Sequence, residues 1–217
     1  MSALGRLQAA AADHRLAVFG TVALSAGDGL APGLRTLVLL GPDEPGFWAH
    51  VTEQPEWQDG APDPLDRWST RVVDALAAGV GGQAFYPFGG PPYRPFYQWA
   101  IRSGRAWASP VTLLVHNRAG LFASYRGAVA ISEAPPAPAP QPSPCESCAD
   151  KPCLSACPPR ALTAKGYDLP MCHAFLDGPS GGDCLNQGCA VRRACPVSRA
   201  YGRLAAQSAY HMRLFHP

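Results

Sequence analysis

Cysteine is the residue type in this chain that points most directly to chemistry. All eight cysteines lie in the last third of the 217 residues, in two sets that each end in Cys-Pro. Such clustering favours a metal centre over a disulfide scaffold or a set of core thiols. The first set is Cys145, Cys148, Cys153 and Cys157, and the second is Cys172, Cys184, Cys189 and Cys195.

Three kinds of site compete for these cysteines. Disulfides would need an oxidising compartment, and the N-terminal segment lacks an apolar run of signal-peptide length because Asp13, His14 and Arg15 interrupt it. Zinc usually binds two separated C-x2-C pairs. Iron–sulfur clusters instead need a dense loop of cysteines, such as the four within thirteen residues here, together with a distant Cys-Pro. The spacing therefore favours iron–sulfur clusters over zinc, and zinc over disulfides.

The proline after each set predicts how the chain leaves the site. Proline holds φ near the helical value and lacks an N–H that the first turn of a helix could not use. Cys157-Pro158 and Cys195-Pro196 are therefore each predicted to begin a helix. After the second of these, apolar residues at helical spacing predict one helix over residues 197–214.

The first set, C-x2-C-x4-C-x3-C-P, resembles the bacterial ferredoxin motif in a variant with four residues between its second and third cysteines. In two-cluster ferredoxins the last cysteine of each set binds the cluster of the other set. The resemblance therefore implies two [4Fe-4S] clusters with crossed ligands. The first would be held by Cys145, Cys148, Cys153 and Cys195, and the second by Cys157, Cys172, Cys184 and Cys189.

The second set departs from that motif. Eleven residues separate Cys172 from Cys184, and the spacings that follow are x4 and x5. The alternative for this set is a remodelled site, which would leave the chain with one cluster only.

Charge and hydropathy exclude some functions. The formal net charge of +2 indicates no strong field for nucleic acid, and no apolar run approaches the roughly 18 residues of a membrane span. We expect a cytoplasmic protein. Residues 135–217 carry 8 basic and 5 acidic side chains, so their excess of arginine could compensate for cluster thiolates. Arg192 and Arg193, between two ligand cysteines, are the candidates for this role, and a solvated pair on a helix face is the alternative.

A proline-rich stretch indicates the domain boundary. Residues 135–144 contain six prolines, which favours a stiff connector. The chain is therefore predicted to be α+β, with an N-terminal α/β sandwich domain at 1–134, a linker at 135–144, and a ferredoxin-type two-cluster module with a C-terminal helix at 145–217.

Local patterns predict the elements of the N-terminal domain. Asp63 is expected to cap a helix that begins at Pro64, and a second helix is expected over 95–103. A turn at Asn117–Gly120 is expected to join the last two strands as a hairpin. The predicted strands cover residues 16–24, 36–40, 83–88, 111–116 and 121–131.

His173 and His216 also lie in the C-terminal part of the chain. His173 neighbours a candidate ligand and could tune a cluster, although most such histidines have no role at the metal. His216 has no obvious carboxylate or cysteine partner in the sequence.

The chain also resembles the cobalamin-dependent epoxyqueuosine reductase family. Tyr86-Pro-Phe-Gly89 is similar to a Tyr-x-x-Gly segment of that family, and residues 111–132 resemble its strand–turn–strand segment before the clusters. The family's Asp-Ser-x-Pro segment, whose aspartate donates a proton, is missing here, as are its C-terminal helical repeats. Reduction of a modified nucleoside is therefore not expected, and cobalamin binding would need most of the missing part.

The sequence thus predicts an electron-transfer protein with two [4Fe-4S] clusters, a redox partner protein, and no nucleic-acid partner. An electron carrier with no catalytic residue of its own fits the sequence better than an enzyme. The main alternative is an oxidoreductase whose clusters deliver electrons to cobalamin or a flavin in the N-terminal domain. A redox sensor with a labile cluster is a third interpretation, which no nucleic-acid-binding motif supports.

Overall fold

The computed structural model describes residues 1–134 and 141–217, so residues 135–140 of the predicted linker lie outside the described residues. The fold mixes helices with small sheets, and the predicted α+β class is confirmed at that level. Two compact units divide the chain. Unit 1 is Met1–Arg105 with Ser124–Gln141, and unit 2 is Ala106–Ala123 with Pro142–Pro217.

The elements are numbered in chain order. The helices are α1 (Ala3–Asp13), α2 (Phe47–Thr52), α3 (Pro55–Gln58), α4 (Pro64–Val80), α5 (Phe96–Arg102), α6 (Leu169–Asp177), α7 (Gly182–Gln187), α8 (Ala190–Ala194), α9 (Pro196–Ala200) and α10 (Ala205–Phe215). The strands are β1 (Leu16–Ala23), β2 (Thr36–Pro42), β3 (Gln83–Phe85), β4 (Ala106–Ala108), β5 (Leu114–His116), β6 (Gly127–Ile131), β7 (Leu162–Thr163) and β8 (Gly166–Tyr167). Short 3-10 turns occur at Ala26–Asp28, Pro152–Leu154 and Pro179–Gly181.

Unit 1 is built on a four-stranded antiparallel sheet in the order β1-β2-β6-β3. The two central strands, β2 and β6, are buried along their whole length, so both faces of the sheet are covered. Helix α4 packs against β6 and β3, and α1 packs against α4 and β1. Every strand pair of the described residues is antiparallel, which gives unit 1 an α+β rather than a parallel β-α-β construction.

Helix α4 follows the predicted pattern closely. It begins at Pro64, and its predicted apolar stripe is buried. The stripe is Leu65, Trp68, Val72, Val73 and Leu76. The predicted cap is wrong in one respect: Asp63 takes a left-handed backbone with φ of 53° and its side chain accepts no capping hydrogen bond. The helix start is therefore set by Pro64 and the buried stripe rather than by a capping carboxylate.

The predicted hairpin between residues 111–116 and 121–131 is wrong. Strand β5 pairs with β4, whereas β6 pairs with β2 and β3 in unit 1. The turn at Asn117–Gly120 does form, closed by reciprocal backbone hydrogen bonds between His116 and Gly120, and Gly120 has the expected positive φ. The pairing differs because β2 offers β6 five consecutive partners, a tertiary option that a local turn signal does not reveal.

The segment 106–123 belongs to unit 2 and is anchored there by its turn. A side chain added at Gly120 would place its Cβ 2.4 Å from the backbone nitrogen of Ser198 in α9. The Leu121 N–H donates to the Ser198 Oγ at 2.8 Å, and the Leu121 carbonyl accepts from Arg192 of α8 at 2.7 Å. These contacts fix the β4–β5 hairpin against the helices on both sides of Cys195.

The two Cys-Pro pairs behave differently. Helix α9 begins at Pro196 as predicted. The helix predicted at Cys157-Pro158 is wrong: the chain turns there, and Arg160 takes a left-handed φ of 57°. Pro158 is followed by a second proline, and a residue before proline is pushed out of the helical region, so the helix cannot propagate.

The single helix predicted over 197–214 is also wrong. Helices α9 and α10 are separate, and Gly202 between them has φ of 80°, which interrupts the helical backbone. Helix α10 packs against α7 within unit 2. Tyr201 and Ser208 of the predicted stripe are buried, whereas Leu204 is exposed because it lies in the break.

The close approach of Gly120 to Ser198 predicts the effect of adding a methyl group. Gly120→Ala should lower the free energy of unfolding by about 1–2 kcal/mol from the left-handed backbone, and overlap with the Ser198 backbone should add about 1–3 kcal/mol. Gly104→Ala is the matched control, because Gly104 has φ of 65° and open space around it. Urea titration of both variants measures the difference, and equal losses would contradict the close packing.

Candidate metal centre

The four cysteines predicted to hold the first cluster line one cavity. Cys145, Cys148, Cys153 and Cys195 all border a space of about 210 Å³ in unit 2, here called the first site. One water molecule needs only about 10–15 Å³ of such space, so the cavity is large enough for a polyatomic group. Its lining contains no carboxylate and no imidazole, so thiols are the metal-binding groups that it offers.

Local structure explains how the tight loop presents its cysteines. The Cys145 N–H donates to the Ser143 hydroxyl at 3.3 Å, which closes the turn before the C-x2-C pair. Lys151 takes a left-handed φ of 39° and reverses the chain before Pro152 begins the 3-10 turn that carries Cys153. Cys195 is extended, with ψ of 126°, between α8 and α9, because proline follows it.

Apolar residues from outside the cysteine-rich segment pack around the first site. Val111, Val115 and Leu121 belong to one buried cluster together with Cys153 and Cys195. Val111, Val115 and Leu121 are each at most 1% exposed. Sequence patterns do not reveal this wall, because they place residues 111–131 in the N-terminal domain. The apolar residues around Val111–Val115 are evident in the sequence, but the segment against which they pack is not.

Burial and nearby thiols change the acidity of two cysteines at the first site. Burial raises the pKa of Cys145, and the neighbouring thiols of Cys195 and Cys148 raise it further. Burial also raises the pKa of Cys153, with contributions from Cys145, Cys195 and Cys148. A nearby positive charge opposes these effects, and Lys151 in the lining of the cavity already lowers the pKa of Cys145 in this way.

The four cysteines predicted to hold the second cluster, here called the second site, are Cys157, Cys172, Cys184 and Cys189. Cys172 lies on α6, Cys184 on α7, and Cys189 immediately before α8. Burial raises the pKa of Cys172, and the thiols of Cys189 and Cys157 raise it further. Burial likewise raises the pKa of Cys184, with Cys189 adding to the effect. These effects link Cys172 with Cys157 and Cys189, and Cys184 with Cys189, and the crossed assignment of ligands stays a prediction.

No group of three or more His, Cys, Asp or Glu side chains in residues 1–134 and 141–217 is arranged to hold a single metal ion.

Hydrogen-bond donors already point at two sulfurs of the second site. The Leu162 N–H donates to Cys157 Sγ at 3.4 Å, and the Tyr167 hydroxyl donates to Cys172 Sγ at 3.2 Å. Burial and this bond to Cys172 raise the pKa of Tyr167, so the phenol keeps its proton. Donors of this kind stabilise thiolate sulfur and tune the potential of a bound cluster.

The expectation that His216 has no carboxylate partner is wrong. Its Nε2 lies 3.2 Å from Asp177 Oδ1, and its Nδ1 lies 2.7 Å from Nδ1 of His173. The His173 ring also stacks on Phe215, with ring centroids 4.7 Å apart. The end of α10 is therefore tied to α6 beside Cys172. A tuning role for His173 remains a prediction.

Arg192 and Arg193 are not a solvated pair, because both side chains are half-buried and have internal partners. Arg192 donates to the Leu121 carbonyl, as described above. Arg193 donates to the Gly188 carbonyl at 2.9 Å and forms an ion pair with Asp183. Arg193 also lies close enough to Cys184 to lower the pKa of that thiol against the larger effect of burial. The hydrogen bond and ion pair of Arg193 thus do not prevent it from compensating the negative charge of cluster thiolates.

The crossed ligand sets predict reciprocal losses. Cys157→Ala should abolish or alter the cluster of the second site and leave the first intact, whereas Cys195→Ala should do the reverse. Paramagnetic resonance of the two reduced variants distinguishes these outcomes, with iron content as the control for protein loading. If Cys157→Ala removes the first cluster alone, the crossed assignment is refuted.

Comparisons of the chain with protein-family models, curated proteins and solved structures find no match. The likeness to the epoxyqueuosine reductase family therefore stays a resemblance. Tyr86, one of the residues that carry it, donates to Asp74 Oδ1 at 2.6 Å and to the Thr70 carbonyl at 3.1 Å, which joins its segment to α4. Among the described helices, none is both long and apolar enough to cross a membrane.

Proposed function

We propose that this chain is an iron–sulfur protein that transfers single electrons through two [4Fe-4S] clusters held by a ferredoxin-like module in unit 2. The observation that carries the proposal is the first site. Three cysteines from the loop 145–153 and one from the distant Cys195-Pro196 border a single cavity, whose other lining residues are mostly apolar and include no carboxylate. Soft thiolate donors of this kind select iron–sulfur clusters or zinc, and the loop-plus-distant-cysteine pattern is that of a cubane site.

When bound, each cluster would supply a one-electron couple, and the residues of the chain would tune it. Val111, Val115 and Leu121 keep water from one side of the first site. At the second site, the Leu162 N–H and the Tyr167 hydroxyl donate to ligand sulfurs. Burial and hydrogen bonds to sulfur are two of the factors by which a protein sets the potential of such a cluster.

Unit 1 contains no cysteine, so on this proposal its role is to dock a partner or a second cofactor. The alternative function, a reductase whose clusters feed cobalamin or a flavin, differs from the electron carrier in what unit 1 binds.

Cluster content tests the proposal directly. Protein purified or reconstituted without oxygen should contain about eight iron atoms and about eight acid-labile sulfides per chain. A Cys148→Ala/Cys184→Ala variant, which removes one ligand from each site, is the control and should retain far less of both. Zinc without sulfide in the wild-type chain would contradict the proposal, and half the expected content would mean that the second site holds no full cluster. A corrin or flavin spectrum would favour the alternative function.

An electron carrier also needs a surface where its partner can approach a cluster. An open groove of about 790 Å³ in unit 2 is bordered by Cys157 of the second site and by the exposed cations Arg160 and Lys165. No acidic residue lines it, and Leu154 at its edge is 44% exposed. A cationic rim around an apolar contact complements the surface of an acidic electron-transfer protein, which is the occupant that we propose.

Charge reversal tests this docking surface. With an acidic flavodoxin in its reduced form as the probe, Arg160→Glu/Lys165→Glu should slow reduction of the clusters by about tenfold or more at low ionic strength. The difference should shrink as salt screens the charges. Arg213→Glu, on α10 and outside the groove, is the matched control. The surface is wrong if the control slows reduction as much, or if the double variant reacts at the wild-type rate. Excess dithionite should reduce the clusters of all three proteins to the same extent.

A further inference from the structure

Ser109 has a buried hydroxyl without a partner. The residue is 8% exposed, and its Oγ makes no hydrogen bond to any described residue. Its backbone is satisfied, since its N–H donates to the Leu113 carbonyl at 2.8 Å and its carbonyl accepts from Thr112 at 3.0 Å. A buried hydroxyl left without a partner is unfavourable, and its presence calls for a ligand, ion or water that completes it.

The place of Ser109 indicates what that partner is. Ser109 lines the same cavity as the four cysteines of the first site. It lies between β4 and β5, far in sequence from the cysteine loop at 145–153. The other serine of the lining, Ser147, is exposed, and its hydroxyl already donates to the Pro144 carbonyl at 3.3 Å. Ser109 is thus the serine of this cavity whose hydroxyl is both buried and free to donate.

We propose that the Ser109 hydroxyl donates an O–H···S hydrogen bond to the first cluster, either to one of its sulfides or to a ligand sulfur, and thereby raises its reduction potential. This inference rests on the proposed function, because it needs a cluster at the first site. Reduction adds negative charge that is shared by the sulfurs, so a donor to sulfur stabilises the reduced form more than the oxidised form.

The surrounding fold is suited to holding such a donor in place. The segment that carries Ser109 is closed by the β4–β5 pairing and anchored by the contact of Gly120 with Ser198. Pro110 follows Ser109 and limits its backbone freedom. A donor held on a rigid hairpin needs little rearrangement when the cluster changes its charge, which is the condition for an effect on the potential.

The test is a redox titration of the first cluster monitored by paramagnetic resonance. The first cluster is identified as the one whose signal Cys195→Ala removes. In Ser109→Ala its midpoint potential should become more negative than in the wild-type protein, while that of the second cluster stays unchanged. Ser147→Ala is the matched control and should leave both potentials unchanged. Ser109→Thr, which keeps the hydroxyl, should stay closer to the wild-type potential than Ser109→Ala does.

A second measurement detects the hydroxyl proton of Ser109 directly. Electron–nuclear double resonance of the reduced first cluster, before and after exchange into D2O, should show one exchangeable proton coupling that is lost in Ser109→Ala. This readout does not depend on how well the variants fold, provided that their iron and sulfide contents match that of the wild-type protein.

The outcomes separate this inference from the proposed function. If the wild-type chain takes up no iron and sulfide, both are overturned. If cluster content is normal but Ser109→Ala has the wild-type potential and retains every exchangeable coupling, the inference alone is overturned, and a buried water satisfies the hydroxyl instead. If Ser147→Ala shifts the potential as much as Ser109→Ala, the effect belongs to the cavity as a whole and the inference also fails.

Discussion

The contact between Gly120 and the backbone of Ser198 is the constraint on which the candidate metal centre depends. It leaves no room for a side chain at residue 120, and the Leu121–Ser198 and Arg192–Leu121 hydrogen bonds add to it. Together they hold the β4–β5 hairpin against α8 and α9, the two helices that flank Cys195. Because Ser109, Val111, Val115 and Leu121 all lie in the segment 106–123, these interactions position both the apolar wall and the unpaired hydroxyl of the first site.

The two sites share the effect of burial. Burial is the largest cause that raises the pKa of Cys145 and Cys153 at the first site and of Cys172 and Cys184 at the second. Each site also has a cation nearby, which is Lys151 in the lining of the first and Arg193 near Cys184 of the second. At the second site the Leu162 N–H and the Tyr167 hydroxyl donate to sulfur as well. Because donors and cations favour negative charge on sulfur, these residues are the ones that would tune the proposed clusters.

The second site is also braced from the end of the chain. Phe215 and His216 contact His173 on α6, and His216 pairs with Asp177 on the same helix. Tyr167, which donates to Cys172, stacks on Phe215 with ring centroids 6.2 Å apart. The eleven-residue insertion between Cys172 and Cys184 contains most of α6 and the 3-10 turn at Pro179–Gly181. The residues that lengthen the spacing between Cys172 and Cys184 thus provide the surface on which Phe215 and His216 pack.

Sequence alone determined the features that depend on local chemistry. Pro64 and Pro196 marked helix starts, and the stripe from Leu65 to Leu76 identified the buried face of α4. These predictions hold because proline geometry and helical periodicity act over a few residues.

Only the tertiary structure decided how distant segments meet. It paired β6 with β2 instead of β5, broke the final helix at Gly202, and turned the chain at Cys157-Pro158. It also assigned residues 106–123 to the unit that contains the cysteines, and so brought Ser109 and Leu121 to the first site. Strand partners and packing neighbours depend on competition among surfaces far apart in sequence. The local pattern around residues 106–123 does not reveal the outcome of that competition.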